Sequence, residues 1–343
     1  DAGARRTTAC RVHTSRSQPN FNGQHPCSGC LDNAMNTLRL GTRGSALACW
    51  QANHVAELLR QVWTDLTVEI IVMTTQGDKK LDTPLAEFGG KGVFTEELEK
   101  ALNDGKLDCA VHSLKDLPTT PPQGLTIGAV SRRGSVQDVL VSRGGYTLDT
   151  LPHGASIGTG SPRRAAQLLY YRPDLKTAHI RGNVDTRIGK ALDKHGSYDA
   201  IVLAQAGIER LGRTDVISQV LPLEQVLPAP GQGALAVQCR DEVESLKWFA
   251  PINHLETQAA VTAERAFLAG IGTGCALPVA AYGHVEKGQL ILRGRICSED
   301  GKQRIDVNVV SNGTISIQIA AETGHALAQT ALAQGGAQLM EGL

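Results

Sequence analysis

Between Cys109 and Pro118 the chain passes from a short apolar run, Cys109 to Val111, straight into His112-Ser113-Leu114-Lys115-Asp116-Leu117. The run predicts a buried strand, and Pro118 prevents any ordinary continuation. Polar groups at the carboxyl end of such a strand stand where open α/β sheets hold their ligands. Asp116 is therefore a candidate catalytic carboxylate, with Lys115 beside it; the plainer reading is a solvated loop ion pair, which is common and weak. Arg43, Arg163, Arg164, Arg181 and Arg187 recur at predicted strand ends or helix starts. Their planar forks suit carboxylates and phosphates, and each charge-assisted bond contributes about 1.5–3 kcal/mol. Gathered round one cleft, they would hold a ligand with several such groups. Cys275 closes the glycine-rich stretch Gly270-Ile271-Gly272-Thr273-Gly274. It reads either as an inert thiol or as a nucleophile or covalent anchor, which needs exposure and thiolate character.

The elements that must position these residues alternate between strand and helix patterns. Leu38 to Gly41 predicts a strand, and Ser45 can cap a helix with Leu47, Trp50, Val55, Leu58, Leu59 and Val62 on one face. Val68 to Met73 is a second strand. The polar segment Gln76 to Gly92 reads as a lid or binding loop, and a helix from about Phe94 to Asn103 leads into the strand before Asp116. Gly89-Gly90-Lys91-Gly92 is no phosphate loop, because Gly92 stands where Ser or Thr is required. Strands are expected at Thr126–Val130 and Asp138–Ser142, with a hinge at Arg132-Arg133-Gly134-Ser135 between them. A second α/β unit starts at Ser156, with Ser161 as helix cap and Pro162 at the first helical position. Arg163 and Arg164 then fall in the first turn, where positive charge opposes the helix dipole, so helix stability does not account for them. Strands at Thr177–Ile180 and Ala200–Leu203 follow, and Ala234–Cys239 is expected to return to the first sheet. From His254, an Ala-rich helix to about Leu268, alternating segments at Val279–Tyr282, Gln289–Ile296 and Arg304–Val310, and a helix over Gly324–Gln334 predict a small antiparallel module.

At 343 residues, with 41% hydrophobic and 20% charged residues, the chain suits two or three globular domains. Lys+Arg and Asp+Glu number 34 each and aromatics are 4%, which argues against a nucleic-acid partner. No apolar run approaches the length of a membrane span. The 8 cysteines are scattered, unlike a disulfide framework, so a reducing compartment is expected. Cys27-Ser28-Gly29-Cys30 with His25 is half a zinc site without a second half, and no metal is expected. Residues 1–36 are rich in Arg, Ser, Thr, Asn and Gly and poor in acids. They read as a disordered tail or a transit-peptide remnant, which would place the protein in a plastid or mitochondrion, and otherwise in the cytoplasm.

The motifs taken together resemble the porphobilinogen deaminase (hydroxymethylbilane synthase) family. They run from Leu40-Gly41-Thr42-Arg43-Gly44-Ser45 and Thr75-Gln76-Gly77-Asp78-Lys79 through Val111-His112-Ser113-Leu114-Lys115-Asp116-Leu117-Pro118 to Ser161-Pro162-Arg163-Arg164. Ile180-Arg181-Gly182-Asn183, Pro230-Gly231-Gln232-Gly233-Ala234 and Gly274-Cys275-Ala276-Leu277-Pro278 complete the series. The resemblance implies a transferase of tetrapyrrole biosynthesis that condenses four porphobilinogen molecules head to tail, releases ammonia and hydrolyses off hydroxymethylbilane. It implies a dipyrromethane cofactor, one per chain, joined by a thioether to Cys275. Asp116 would be the catalytic carboxylate. Arg43, Ser45, Lys115, Ser161, Arg163, Arg164, Arg181 and Arg187 would hold cofactor and substrate carboxylates, and Lys91 and Phe94 would face the site from a mobile lid. Glu87 departs from the usual lid, Gly160 and Pro162 replace a more common Ser and Leu, and Thr273 replaces a frequent Gly.

The fold expected is α/β: two periplasmic-binding-protein-like doubly wound domains plus a small C-terminal α+β domain. Residues 37–131 with 232–250 would form the first, 137–226 the second and 254–343 the third, working as a monomer. The main rival is a non-enzymatic two-lobed anion- or solute-binding protein, which would use the arginines but would not need Asp116 or Cys275.

Overall fold

The computed structural model describes residues 37–75, 95–272, 278–311 and 314–340. The expectations for residues 1–36, for the lid with Glu87, Lys91 and Phe94, and for Cys275 with Thr273 lie outside the described residues. Among the described residues, thirteen strands fall into three sheets. In the first, β1 (Thr37–Arg43) pairs in parallel with β2 (Thr67–Met73) and β3 (Cys109–Ser113). Leu38 and Leu40 of β1 and Cys109 and Val111 of β3 enter the core. β4 (Leu125–Val130) forms one edge of this sheet.

The second sheet holds β5 (Asp138–Ser142), β6 (Ser156–Gly158), β7 (Lys176–Ala178), β8 (Ala200–Ala204) and β9 (Gln219–Val220) in the order β7-β6-β8-β5-β9. Here β6 runs parallel to β7 and β8, whereas β5 is antiparallel to β8 and β9. The chain then returns. β10 (Leu235–Arg240) inserts antiparallel between β3 and β4, as the apolar run at Ala234–Cys239 leads one to expect. Strand β7 ends at Ala178 rather than Ile180; Ile180 is still buried, as a core residue beyond the strand.

Helices cover these sheets. α1 (Ala46–Val62) lays Ala52, Val55, Ala56 and Leu59 on the first sheet, and Ser45 caps it by accepting from the Ala48 amide at 3.2 Å. That bond satisfies one of the amides orphaned at a helix start. α2 (Glu96–Asn103) packs Leu98 and Leu102 beneath it. α3 (Pro162–Tyr171), α4 (Val184–Leu192) and α5 (Gln205–Arg210) serve the second sheet. α6 (Val243–Phe249) returns Phe249 to the first core.

The third sheet is antiparallel, β11 (Val279–Glu286), β12 (Gln289–Cys297) and β13 (Arg304–Val310). α7 (Leu255–Ile271) and α8 (Ile317–Ala331) close its core round Phe267, Leu292, Ile296 and Leu327. α8 starts at Ile317, capped by Ser316, and not at Gly324. Gly324 marks a close approach: a Cβ there would lie 2.2 Å from the Ala263 carbonyl, so the glycine lets α8 press against α7.

Two segments, 131–137 and 221–234, join the first two sheets. They touch where the Gly134 amide donates to the Gly233 carbonyl at 3.1 Å. Gly233 has φ +86, and a Cβ there would meet the carbonyl oxygens of Ser135 at 2.7 Å and Gly134 at 2.8 Å. Only glycine fits a left-handed backbone so close to another chain segment.

Candidate active site

The carboxyl ends of strands from both sheets open on one cleft of about 920 Å³. From the first sheet, the end of β1 supplies Arg43 and, one turn on, Ser45. The end of β3 supplies Ser113, and a 3₁₀ turn at Leu114–Asp116 presents Lys115 and Asp116. That turn is pinned from behind: Arg265 on α7 donates to the carbonyls of Leu117 at 3.1 Å and Pro118 at 2.5 Å. Leu114 is wholly buried, so the two charged neighbours are thrust outward while their backbone is anchored.

The second sheet supplies Ser161 and Arg164 after β6, and Arg181 and Arg187 after β7. Ser161 occupies the cap position of α3, but its hydroxyl makes no capping bond, contrary to the expectation from its place before Pro162. Asn183 caps α4 by accepting from the Thr186 amide at 2.9 Å, which sets the helix carrying Arg187. Arg187 is further fixed by donating to the Gly182 carbonyl at 2.7 Å, and Arg181 by donating to His179 Nε2 at 3.0 Å.

The cleft is strongly cationic. Lys190 and Arg210 also line it, against Asp116 and Asp185. Crowding shows in the titration of these groups. Loss of hydration pulls the half-buried Lys115 ammonium down to about 8, with Asp116 working against the shift. Burial lowers Arg187 as well, and Arg164 adds to the effect while Asp116 opposes it. His179 is lowered by burial and then by Arg181 and Arg187. A site with this surplus of positive charge is suited to a polyanion.

Arg163 does not line the cleft. It is 4% exposed and donates to the Leu227 carbonyl at 2.6 Å and to Asp138 Oδ2 at 2.9 Å. Arg163 therefore lies behind the cleft wall in this structure, whereas Arg164 lines it. In the first turn of α3 the two side chains diverge, one towards the Leu227 carbonyl and one towards the cleft wall. Arg164 lines that wall, donating to Asp138 Oδ1 at 2.7 Å and the Val202 carbonyl at 3.2 Å, while its buried Nε has no hydrogen-bond partner.

Sequence reasoning missed Asp138, which is fully buried at the start of β5. Burial alone would push its carboxyl up, but Arg163 and Arg164 overcome that and hold it well below the usual carboxylate range. Two arginines set against a helix dipole needed a counter-anion, and that was the available signal. Arg210 was missed for the opposite reason: at the last turn of α5 a cation is favourable, so nothing in the sequence marks it. Among the described residues, no group of His, Cys, Asp and Glu could hold a metal ion, and no helix is long and apolar enough to cross a membrane.

The family model "Porphobilinogen deaminase, dipyromethane cofactor binding domain" matches residues 38–247, and "Porphobilinogen deaminase, C-terminal domain" matches residues 258–333. A relative named porphobilinogen deaminase from Syntrophomonas wolfei is 50% identical over 89% of this chain and 98% of its own. Another of that name, from Pelotomaculum thermopropionicum, is 46% identical over 89% of this chain and 96% of its own. Among solved structures, the methionine-binding protein MetQ superposes on 67% of this chain and 94% of its own at 14% identity, with a TM-score of 0.41.

Proposed function

This chain belongs to the porphobilinogen deaminase family, and on that premise we propose that it condenses porphobilinogen stepwise, head to tail, with loss of ammonia, and releases hydroxymethylbilane by hydrolysis. The observation that carries this reading is the meeting of one exposed carboxylate, Asp116, with Lys115, Arg43, Arg164, Arg181 and Arg187 in a single cleft. Porphobilinogen carries an acetate and a propionate, and a polypyrrole chain repeats them at every ring. Surplus guanidinium groups are the complement such a chain needs. Asp116 in their midst is the group that can meet positive charge.

Loss of ammonia leaves a cationic carbon on the substrate. The Asp116 carboxylate stabilises that charge from a preset position, and it accepts and returns protons as the amine departs and the new pyrrole is deprotonated. The Arg265 bonds to Leu117 and Pro118 support the reading, since a carboxylate on a fixed turn needs no reorganisation as charge develops.

The cofactor named for this family fits the residues present. Arg164 Nε is buried and unpartnered at the cleft wall, and the lining cations outnumber the acids. When bound, the dipyrromethane supplies the pyrrole end to which the first substrate is joined. Arg43, Ser45, Lys115, Ser161, Arg164, Arg181 and Arg187 would hold its carboxylates and those of the substrate, and Arg163 would act on them through Asp138. We place its attachment on Cys275 and lid contacts on Lys91 and Phe94. We also take 37–131 with 232–250, 137–226 and 254–343 as three domains. We take the working unit to be a monomer. The solute-binding rival is not favoured, since it leaves the carboxylate on its fixed turn without a task.

The test follows porphobilinogen consumption by the wild-type protein, by Asp116→Asn and by Cys275→Ala, with intact mass before and after incubation. We expect turnover in the wild type only, and a mass excess of two linked pyrrole units that Cys275→Ala lacks. A wild-type protein that gains no mass and consumes no substrate would return the binding-protein reading.

A further inference from the structure

Asp138 does not line the cleft, yet among the described residues it is the one acidic group bonded to the arginine pair of α3. Its Oδ2 accepts from Arg163 at 2.9 Å, and its Oδ1 accepts from Arg164 at 2.7 Å and from Gln232 Nε2 at 2.9 Å. Asp138 and Gln232 are both wholly buried. Gln232 stands in the segment returning to the first sheet, and its amide also donates to the Val136 carbonyl at 2.7 Å. One carboxylate thus joins α3 of the second sheet to both connecting segments.

Its stoichiometry matters. Two guanidinium groups share a single negative charge, so the locus keeps a net positive charge, and the Lys115 ammonium feels both arginines. Arg164 spends one Nη on Asp138 and the other on the Val202 carbonyl, leaving its buried Nε without a partner at the cleft wall. A long, mobile side chain is thereby fixed in one orientation before any ligand arrives. Preorganisation of this kind strengthens recognition by removing the ordering that binding would otherwise require.

We propose that Asp138 is a positioning residue for carboxylate recognition: it aims Arg164 at the cleft and, through Gln232, ties that aim to the relative placement of the two connecting segments. The proposal rests on the function proposed above. In it, the side of the fold opposite Asp116 is set by a residue that never touches substrate, and a displacement of the connecting segments alters the arginine wall directly.

The experiment compares wild type, Asp138→Asn and Gln232→Met by thermal unfolding, by intact mass with and without porphobilinogen, and by kcat and KM. Asp138→Asn keeps the shape and removes the charge. We expect its KM for porphobilinogen to rise by about tenfold or more while kcat falls less, the pattern of lost ligand positioning. Gln232→Met keeps the carboxylate and removes only the link to the returning segment; its KM should rise about threefold with kcat near wild type. If Asp138→Asn does not fold, Gln232→Met carries the test alone. An unchanged KM in the folded variants overturns the proposal. So does a lower KM in Asp138→Asn, which would mean that Asp138 merely competes with anions for the arginines. A wild-type protein without turnover would instead refute the functional reading, and the proposal would fall with it.

Discussion

Replacing Glu264 by Gln should loosen the whole assembly, and the hydrogen bonds say by how much. Glu264 lies on α7 with no exposed surface, and its carboxylate accepts four bonds. Arg133 donates from Nη1 to Oε1 at 2.6 Å and from Nη2 to Oε2 at 3.0 Å. The Gly231 amide donates to Oε2 at 2.6 Å and the Gly283 amide to Oε1 at 2.7 Å. These donors come from both connecting segments and from β11. Glutamine offers one carbonyl oxygen, so its NH₂ must face a backbone amide and an Arg133 N–H, donor against donor. Breaking a buried pair by removing one charge costs about 3–5 kcal/mol, and each buried amide left unbonded adds about 1–3 kcal/mol. Relaxation and water entry keep these from summing, so we expect a loss of about 4 kcal/mol. In a chain of 343 residues that lowers the unfolding midpoint by about 5–6 °C. The assay is calorimetry together with urea unfolding of wild type, Glu264→Gln and Arg133→Met. The methionine variant should lose less than Glu264→Gln, because both amides keep their acceptor. A Glu264→Gln protein within about 1 kcal/mol of wild type would refute the reasoning.

Two further perturbations test particular groups. Lys115 titrates near 8 in the fold, against about 10.4 in an unfolded chain. Between those values the unfolded chain binds more protons, so folding stability gains as pH rises. Carboxylate binding goes the other way, and KM for porphobilinogen should climb as pH passes through about 8; Lys115→Arg should abolish that limb, and an unaltered limb would show that another group titrates. Gly233→Ala puts a methyl group 2.7 Å from the Ser135 oxygen in a left-handed backbone. It should destabilise by at least about 2 kcal/mol, read by urea unfolding, and a neutral result would mean that the connecting segments part easily.

Much of this was legible in the sequence because it depends on local rules. The period-two and helical patterns around Leu40, Val55 and Val111 mark buried faces, and β10 was foreseeable from an apolar run with no helix of its own. Arg43, Lys115, Asp116 and Arg181 were found as polar residues after strands and Arg187 near a helix start, and all five line the cleft. What stayed hidden depends on pairings far apart in the chain. Arg133 looked like an ordinary hinge charge, and Glu264 like a polar interruption in an Ala-rich helix; only the packing of α7 against both connecting segments makes them partners. Asp138 was read as the first residue of a strand, with nothing local to mark a further role. Its role exists only once α3 lies across the end of β5. The same distance explains why the different placement of Arg163 and Arg164 was not legible: neighbours in a first helical turn look equivalent until the surroundings divide them.

The late insertion of β10 between β3 and β4 has a consequence for synthesis. Those two strands are not neighbours in the finished sheet, so β4 cannot join the other strands until residue 240 has left the ribosome. The second sheet draws all its strands from residues 138–220, an unbroken stretch that emerges earlier. Assembly therefore runs against chain order, with the later lobe complete while the earlier one still waits for the strand that joins β3 to β4. Until then β3 and β4 present open edges next to buried apolar residues, the condition in which nascent chains aggregate or call on chaperones. A ribosome-stalled chain whose residues up to 225 have emerged, with β10 still inside the ribosome, should hold a protease-resistant second lobe and a first lobe still open to cleavage.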